Sequence, residues 1–273
     1  MNTMENSKLT ISIIGAGNMG FRLGIAFAEK GWNVKAVYNR NRETGEKLTR
    51  ALVRNGSDTH YCDSIALLPE TDVTIISVSD DFIENAAKEY GETHPGSKTA
   101  LLHTSGATPL SVLSVSGCRY GVIYPLMTLS KVKSIDFSIV PFLLETEDES
   151  VRETEIALVK SLGAEYKFVD SDKRLDMHTS AVFCCNFVSY VLGLAFDLVK
   201  DNPVFMMPLA TETVRKFFLM LDPDATITGP ARRADMKTIE RHLQVLADKG
   251  MDEHYEVYRF LTDKILEKYH HKK

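Results

Sequence analysis

Two histidines, a tyrosine and an asparagine are the residues of this 273-residue chain best suited, by type and spacing, to handling a proton beside a small polar molecule. His103 ends an apolar stretch and is followed at once by Thr104, Ser105 and Gly106. With an ordinary pKa of about 6.5, an imidazole there can give a proton to an oxygen or nitrogen near neutrality. Tyr124 ends the next apolar stretch, just before Pro125, and its hydroxyl both donates and accepts. His178 and Asn186 lie in one long apolar pattern of helical period together with Arg174. Arg174 and His178, four apart, share a face, whereas Asn186 comes round only about 80° away from His178 at 3.6 residues per turn. Such polar groups need partners, which a substrate or a neighbouring element can supply. Further on, residues 228–235 read TGPARRAD, a Gly-Pro break and a helix start, with Arg232 and Asp235 three apart. One reading is a capped helix end with a surface ion pair; the functional one turns Arg232 toward an anionic substrate. The candidate proton-handling set is therefore His103, Tyr124 and Asn186, with Ser105, His178, Arg232 and Asp235 as candidate substrate contacts.

Chemistry of this kind needs elements to hold it, and the N-terminal half supplies them. Residues 9–20 read LTISIIGAGNMG: a β-branched strand runs into Gly15-x-Gly17-x-x-Gly20, and helical spacing follows through Phe21, Leu23, Ile25 and Phe27 to Gly31. Gly15 permits the tight turn, Gly17 a close backbone approach to a pyrophosphate, and Gly20 close packing of helix on strand. The free N–H groups of the helix then face the phosphates. This predicts a dinucleotide held by Gly15, Ala16, Gly17, Asn18, Met19 and Gly20. Strands are expected over 34–38, 59–61, 73–78, 99–103, 120–124 and 138–145, alternating with helices over 42–54, 81–90, 110–115 and 150–162, and a last strand over 165–168. Strand-helix alternation of this kind forces a parallel sheet. Ligands of such sheets sit beyond the carboxyl ends of the strands, which adds Ser77, Val78 and Ser79 to the cofactor contacts and turns His103 and Tyr124 toward the reacting end.

The type of dinucleotide is written after the second strand. An NAD site places a carboxylate about 20 residues beyond the glycines to hold the ribose 2′-hydroxyl. Here the chain reads Tyr38-Asn39-Arg40-Asn41-Arg42, with no carboxylate and with guanidinium groups suited to a 2′-phosphate. The expected cofactor is NADP, bound with the help of Asn39 and Arg40.

From residue 171 onward the pattern is helical only, over 175–200, 207–220, 232–248 and 252–269, broken at Pro203, Pro208, Pro223, Pro230, Gly229 and Gly250. The expected organisation is an α/β domain over 1–170 and an all-helical domain over 171–273. A net charge of −5 argues against a nucleic-acid partner. No apolar run approaches the roughly 20 residues that cross a bilayer, and the first residues lack a leader's apolar core. A cytoplasmic protein without a membrane partner is the expectation. Cys62, Cys118, Cys184 and Cys185 show neither CxxC spacing nor a histidine pair, so no metal site is expected.

On IIGAGNMG, the His-Thr-Ser-Gly-Ala turn at 103–107, the helix carrying His178 and Asn186, and TGPARRAD, the chain resembles the NADP-dependent reductases that include pyrroline-5-carboxylate reductase, ketopantoate reductase and F420-dependent NADP oxidoreductases. Within that superfamily it is most similar to a poorly characterised family whose helical domain has no assigned function. The resemblance implies an N-terminal Rossmann parallel sheet followed by a helical domain of the 6-phosphogluconate dehydrogenase type, a homodimer formed through that domain, and hydride transfer between NADPH and a small carbonyl or imine substrate. It places Asn186 where related reductases keep an asparagine near the substrate. Arg174 stands in the general region of the catalytic lysine of ketopantoate reductase. Tyr124-Pro125 replaces a His-Pro of the closer family. A protein that binds NADP as a redox sensor or regulator, without turnover, is the alternative.

Overall fold

The computed structural model describes residues 9–270. Its first half is one eight-stranded sheet in the order β3-β2-β1-β4-β5-β6-β7-β8. The strands are β1 (Thr10–Ile14), β2 (Asn33–Tyr38), β3 (His60–Cys62), β4 (Val73–Ile76), β5 (Ala100–His103), β6 (Arg119–Pro125), β7 (Phe142–Glu145) and β8 (Tyr166–Phe168). The first six are parallel; β7 runs antiparallel to β6, and β8 runs parallel to β7. The sequence predicts a parallel sheet, correct for the first six strands but not for β8 or, before it, β7. Its reversal follows from the connection: between β6 and β7 the described chain holds only a 3₁₀ turn at Phe137–Ile139, not the full helix that carries a parallel crossover.

Helices α1 (Asn18–Glu29), α2 (Arg42–Arg54), α3 (Ile83–Thr93) and α4 (Glu149–Ser161) join these strands. Ile11, Ile13, Val34, Val37, Val73 and Ile75 of the central strands are fully buried, with Phe27 of α1 and Leu48 and Leu52 of α2 packed on them. On the opposite face Ile14, Ile76, Leu101, Tyr90 and Leu113 form a second cluster. Both faces of the sheet are thus covered, which is why its strands read as continuous apolar runs. The strand order turns around between β1 and β4, and that switch point is where an open α/β sheet binds its ligand.

A helical run follows, made of α5 (Ser171–Ala181), a π-helical segment (Val182–Phe187) and α6 (Val188–Leu198). The two compact units of the chain divide within it, between Asn186 and Phe187, rather than at residue 170 where the composition changes. The difference has a physical cause. Arg174 of α5 is fully buried, ion-paired with Glu145 at the end of β7 and hydrogen-bonded to the Thr108 carbonyl. Ser171 donates to both Glu145 oxygens at 2.9 and 3.0 Å and accepts from the Leu110 N–H at 3.0 Å. These contacts clamp α5 to the sheet unit. The run Ser171–Leu198 also corrects the expectation about apolar length: by length and composition it is able to cross a membrane, with its scattered polar residues too few to spoil the average.

The second unit holds α6 with α7 (Met207–Met220), α8 (Pro223–Thr226), α9 (Met236–Asp248) and α10 (Asp252–His270), and no strand among its described residues. Helices α2 and α7 fall where the sequence puts them, residue for residue. The helix expected from Arg232 starts four residues later, because Ala234 takes a left-handed φ of 53° and Asp235 caps α9.

Candidate active site

At the switch point the glycine loop is built by backbone geometry. Gly15 has φ +103°, and a Cβ on it would overlap the Ser77 carbonyl; a Cβ on Gly20 would overlap the Gly15 carbonyl. Gly17 precedes α1 with no side-chain cap, so the first N–H groups of the helix remain available to phosphate oxygens. Gly17 and Asn18 face solvent, Met19 packs on the core beneath, and the Ala16 N–H donates to Asn39 Oδ1 at 2.9 Å. Asn39 in turn donates from Nδ2 to the Asn41 carbonyl at 2.8 Å, and its own carbonyl accepts from the Tyr61 hydroxyl at 2.9 Å. The residue expected at the cofactor is thus also the brace of the loop.

Beside the loop opens a cleft of about 300 Å³, lined by Gly15, Gly17, Asn39, Arg40, Ser77, Val78 and Ser79. Beyond the ends of β1 and β2, Ile65, Phe82, Asn85, Ala86 and Glu89 also line it. None of these five stands out in the sequence; Phe82 alone carries a signal, as a large apolar residue left 44% exposed just past a strand end. The two arginines of the region separate clearly. Arg42 is ion-paired with Glu46 at 2.7 Å and Asp63 at 2.8 Å, which raises its pKa. Arg40 is exposed, lies over the Phe82 ring at 5.0 Å and has no carboxylate partner among the described residues. The donor set fits a phosphorylated dinucleotide: the open helix N-terminus suits a pyrophosphate, and the unpaired Arg40 guanidinium with no acid at the end of β2 suits a 2′-phosphate.

A second cavity, of about 470 Å³, lies past the carboxyl end of β6 within the same unit. Tyr124 and His178 meet in it, with Tyr124 Oη 2.9 Å from His178 Nδ1 and the rings edge to face. Burial, with the Asp80 charge nearby, holds the Tyr124 hydroxyl above its usual range, so it is protonated at neutral pH. Gly106 makes the pair fit: a Cβ there would come within 2.5 Å of His178 Nδ1 and 2.8 Å of Tyr124 Cζ. The Thr-Ser-Gly turn therefore serves the site through a missing methyl. Asn186 lines the same cavity despite the 80° that an α-helix would impose. From Val182 onward the helix is π, each residue turning by about 82° instead of 100°, and the four steps to Asn186 remove roughly 70° of the offset.

Other expected site residues lie elsewhere. His103 is fully buried, and its Nδ1 accepts from the Ser105 N–H at 3.1 Å. Burial, and then the nearby Arg174 charge, push its pKa down to about 3, so it is a neutral packing residue and not the proton donor the sequence suggested. Ser105 Oγ accepts from the Ala107 and Thr108 N–H groups at 3.1 and 3.0 Å; it shapes the turn instead of contacting a substrate. Arg174 is consumed by its clamp and, with a pKa lowered by burial only to about 10, stays charged. In the helical unit the Arg232 guanidinium lies 4.0 Å from the Tyr269 ring centroid, and Asp235 accepts from Thr238 N and Oγ1 at 3.2 and 2.8 Å as the cap of α9. The distinctive TGPARRAD string is explained by that helix start. Among the described residues no group of His, Cys, Asp or Glu is arranged to hold a metal.

Comparison with known proteins agrees with the loop. The sequence matches a family described as NADP oxidoreductase, coenzyme F420-dependent, over residues 10–100, and a domain of unknown function, DUF2520, over residues 140–265. A Bacteroides fragilis protein named as an NADP oxidoreductase is 30% identical, covering 95% of this chain and 98% of its own, with a TM-score of 0.84. The chain belongs to the NADP oxidoreductases. The Rossmann sheet precedes the helical region, which is the fold class expected from the sequence. A reductive aminase from Aspergillus terreus, solved with NADPH and ethyl-5-oxohexanoate, shares the fold at 16% identity and a TM-score of 0.67, covering 96% of this chain and 95% of its own. A pyrroline-5-carboxylate reductase from Coxiella burnetii shares it at 14% identity and 0.55, covering 94% and 97%. No curated protein matches the sequence.

Proposed function

We propose that this oxidoreductase uses NADPH to reduce a small carbonyl or imine compound, with Tyr124 as the proton donor. The observation that carries the reading is the Tyr124–His178 pair at 2.9 Å, in a cavity beyond the carboxyl end of β6. Arg40 and the free N–H groups of the first turn of α1 would hold the phosphates. Bound there, the reduced nicotinamide supplies hydride. Tyr124 keeps its proton until the substrate oxygen or nitrogen becomes electron-rich, then gives it up, and His178 shares the resulting charge through Nδ1. Asn186 orients the same polar atom from the facing helix. The reductive aminase of like fold, solved with NADPH and a keto ester, supports this choice of chemistry.

A homodimer formed through the helical region belongs to the same reading. That unit buries only Ala231, Ile239, Leu246 and Thr262 among its described residues, and leaves Val191 and Phe196 of α6 and Phe217, Phe218 and Met220 of α7 exposed. Apolar surface on that scale is the mark of an interface. A second copy covering it accounts for the apolar run Ser171–Leu198 without a membrane and fits a cytoplasmic enzyme.

The test is NADPH oxidation across ketones, aldehydes and cyclic imines. Tyr124→Phe is expected to cut turnover by about a hundredfold or more while leaving NADPH affinity unchanged. Arg40→Ala is expected to weaken NADPH by about 10- to 100-fold and NADH by less than about twofold, since a charge-assisted bond to the 2′-phosphate is lost. Silence across the whole panel with tight NADPH binding would instead identify a sensor.

A further inference from the structure

Charge, more than shape, distinguishes the Tyr124–His178 cavity. Leu126, Met127, Met177, Ala181 and Val182 form most of its wall, with Cys184 and Cys185 alongside. Its polar groups are the Tyr124 hydroxyl, the His178 ring, Thr128, Ser180 and the Asn186 amide. No lysine, arginine, aspartate or glutamate is among the residues lining it. Two cations lie equally near the lining in sequence: Lys131, three residues past Thr128, whose Nζ sits 5.9 Å from the Phe21 ring centroid, and Arg174, three before Met177, which is fully buried with its guanidinium taken by Glu145 and the Thr108 carbonyl. Arg174 lies fully buried outside the lining, its charge paired with Glu145 rather than offered to a ligand.

A carboxylate moved from water into such a wall would lose its hydration and find no cation in exchange, a large penalty. An uncharged carbonyl or imine asks for much less. One hydrogen bond from Tyr124 and one contact from Asn186 satisfy its polar atom, while the remainder of the molecule gains from the apolar wall. A volume of about 470 Å³ is within the range of small-molecule sites.

We infer that the pocket takes an uncharged, largely apolar ketone, aldehyde or imine, and discriminates against keto acids and amino-acid-derived imines. This rests on the reductase reading above, and it replaces the anionic substrate that Arg232 suggested from the sequence. The discrimination is a property of the pocket in the unreacted protein, so binding tests it without turnover.

A matched pair of probes isolates the carboxylate: 4-phenylbutan-2-one and 2-oxo-4-phenylbutanoate, which differ by a methyl against a carboxylate on the same carbonyl. Each is titrated calorimetrically into the full chain, both without cofactor and saturated with NADP⁺. The ketone is expected to bind at least about tenfold more tightly than the keto acid. Equal or reversed affinities, or no binding of either probe, would overturn the inference. Thr128→Arg, a change at an exposed position of the pocket wall that the fold tolerates, is expected to raise keto-acid affinity at least about tenfold and leave the ketone nearly unchanged. No gain with this variant counts against the pocket as the binding place. Failure of the reductase reading looks different: the ketone then binds with the expected preference, but no NADPH is consumed with it.

Discussion

The cofactor cleft and the Tyr124–His178 pocket both lie past strands of one sheet and are made of different material. The cofactor cleft is backbone: a turn that only glycine accepts at Gly15, an uncapped helix start after Gly17, and a helix laid against the loop at Gly20. The Tyr124–His178 pocket is side chain, brought together from β6, the 103–108 turn, α5 and the π segment. Backbone geometry of the first kind is specified within a few consecutive residues. The second exists only after residues up to 62 positions apart, Tyr124 and Asn186, have packed. The lesson is that a chain can advertise its cofactor while concealing its substrate.

The largest expected effect attacks the backbone side. Gly20→Ala forces a methyl onto the Gly15 carbonyl, and NADPH affinity should fall by more than about 100-fold, with ketone binding retained if the protein stays folded. Fluorescence titration of NADPH measures the first and calorimetry the second. Retained NADPH affinity would break the claim that this edge is set by steric exclusion.

Next comes a change beneath the pocket's own strand. Glu155 of α4 is fully buried against Gly121 of β6, and burial pushes its carboxyl pKa up to about 9 from 4.5. Between those values the unfolded chain is ionised there while the folded one keeps the proton, so stability falls as pH rises through that window. Glu155→Gln should remove that slope and stabilise the protein at pH 8 by on the order of 4 kcal/mol relative to its effect at pH 4.5. Denaturant midpoints at the two pH values give the answer, and both ligand affinities should stay the same. His103 acts in the opposite direction: neutral when folded, with its pKa near 3 against 6.5, it costs stability as pH drops below about 6.5. A Glu155→Gln variant with an unaltered pH slope would place the proton elsewhere.

The smallest effect is the sharpest. Gly106→Ala adds one methyl between the Tyr124 and His178 rings, and affinity for an uncharged ketone should drop by about tenfold while NADPH binding is untouched. If NADPH weakened equally, the two sites would not be separable as described.

Much of the sheet unit was readable because its signals are local. The strand before Gly15, the missing acid after Tyr38 and the helix Arg42–Arg54 each need only their neighbours in sequence. His103 was misleading for the opposite reason: nothing in its flanking residues says that Arg174 and the 104–110 turn will seal it from solvent. Arg232 and Asp235 looked like a site because a helix start after a glycine and a proline carries the same residue types as one. Arg40 and Arg42 were indistinguishable as letters and separated only once Glu46 and Asp63 were found beside Arg42. Tyr124 and His178 could each be nominated; that they touch, through the space left by Gly106, could not.

The π segment Val182–Phe187 carries one residue more than an α-helix of the same height would need. Counted that way, it is a stored insertion. Point substitutions along it change what the wall of the pocket presents, whereas deletion of one residue would let the segment return to α-helix with Asn186 seven steps from His178, about 20° from its face. Changes at Val182, Cys184 or Cys185 therefore alter the wall directly, whereas the loss of one residue between His178 and Asn186 is absorbed by the π segment.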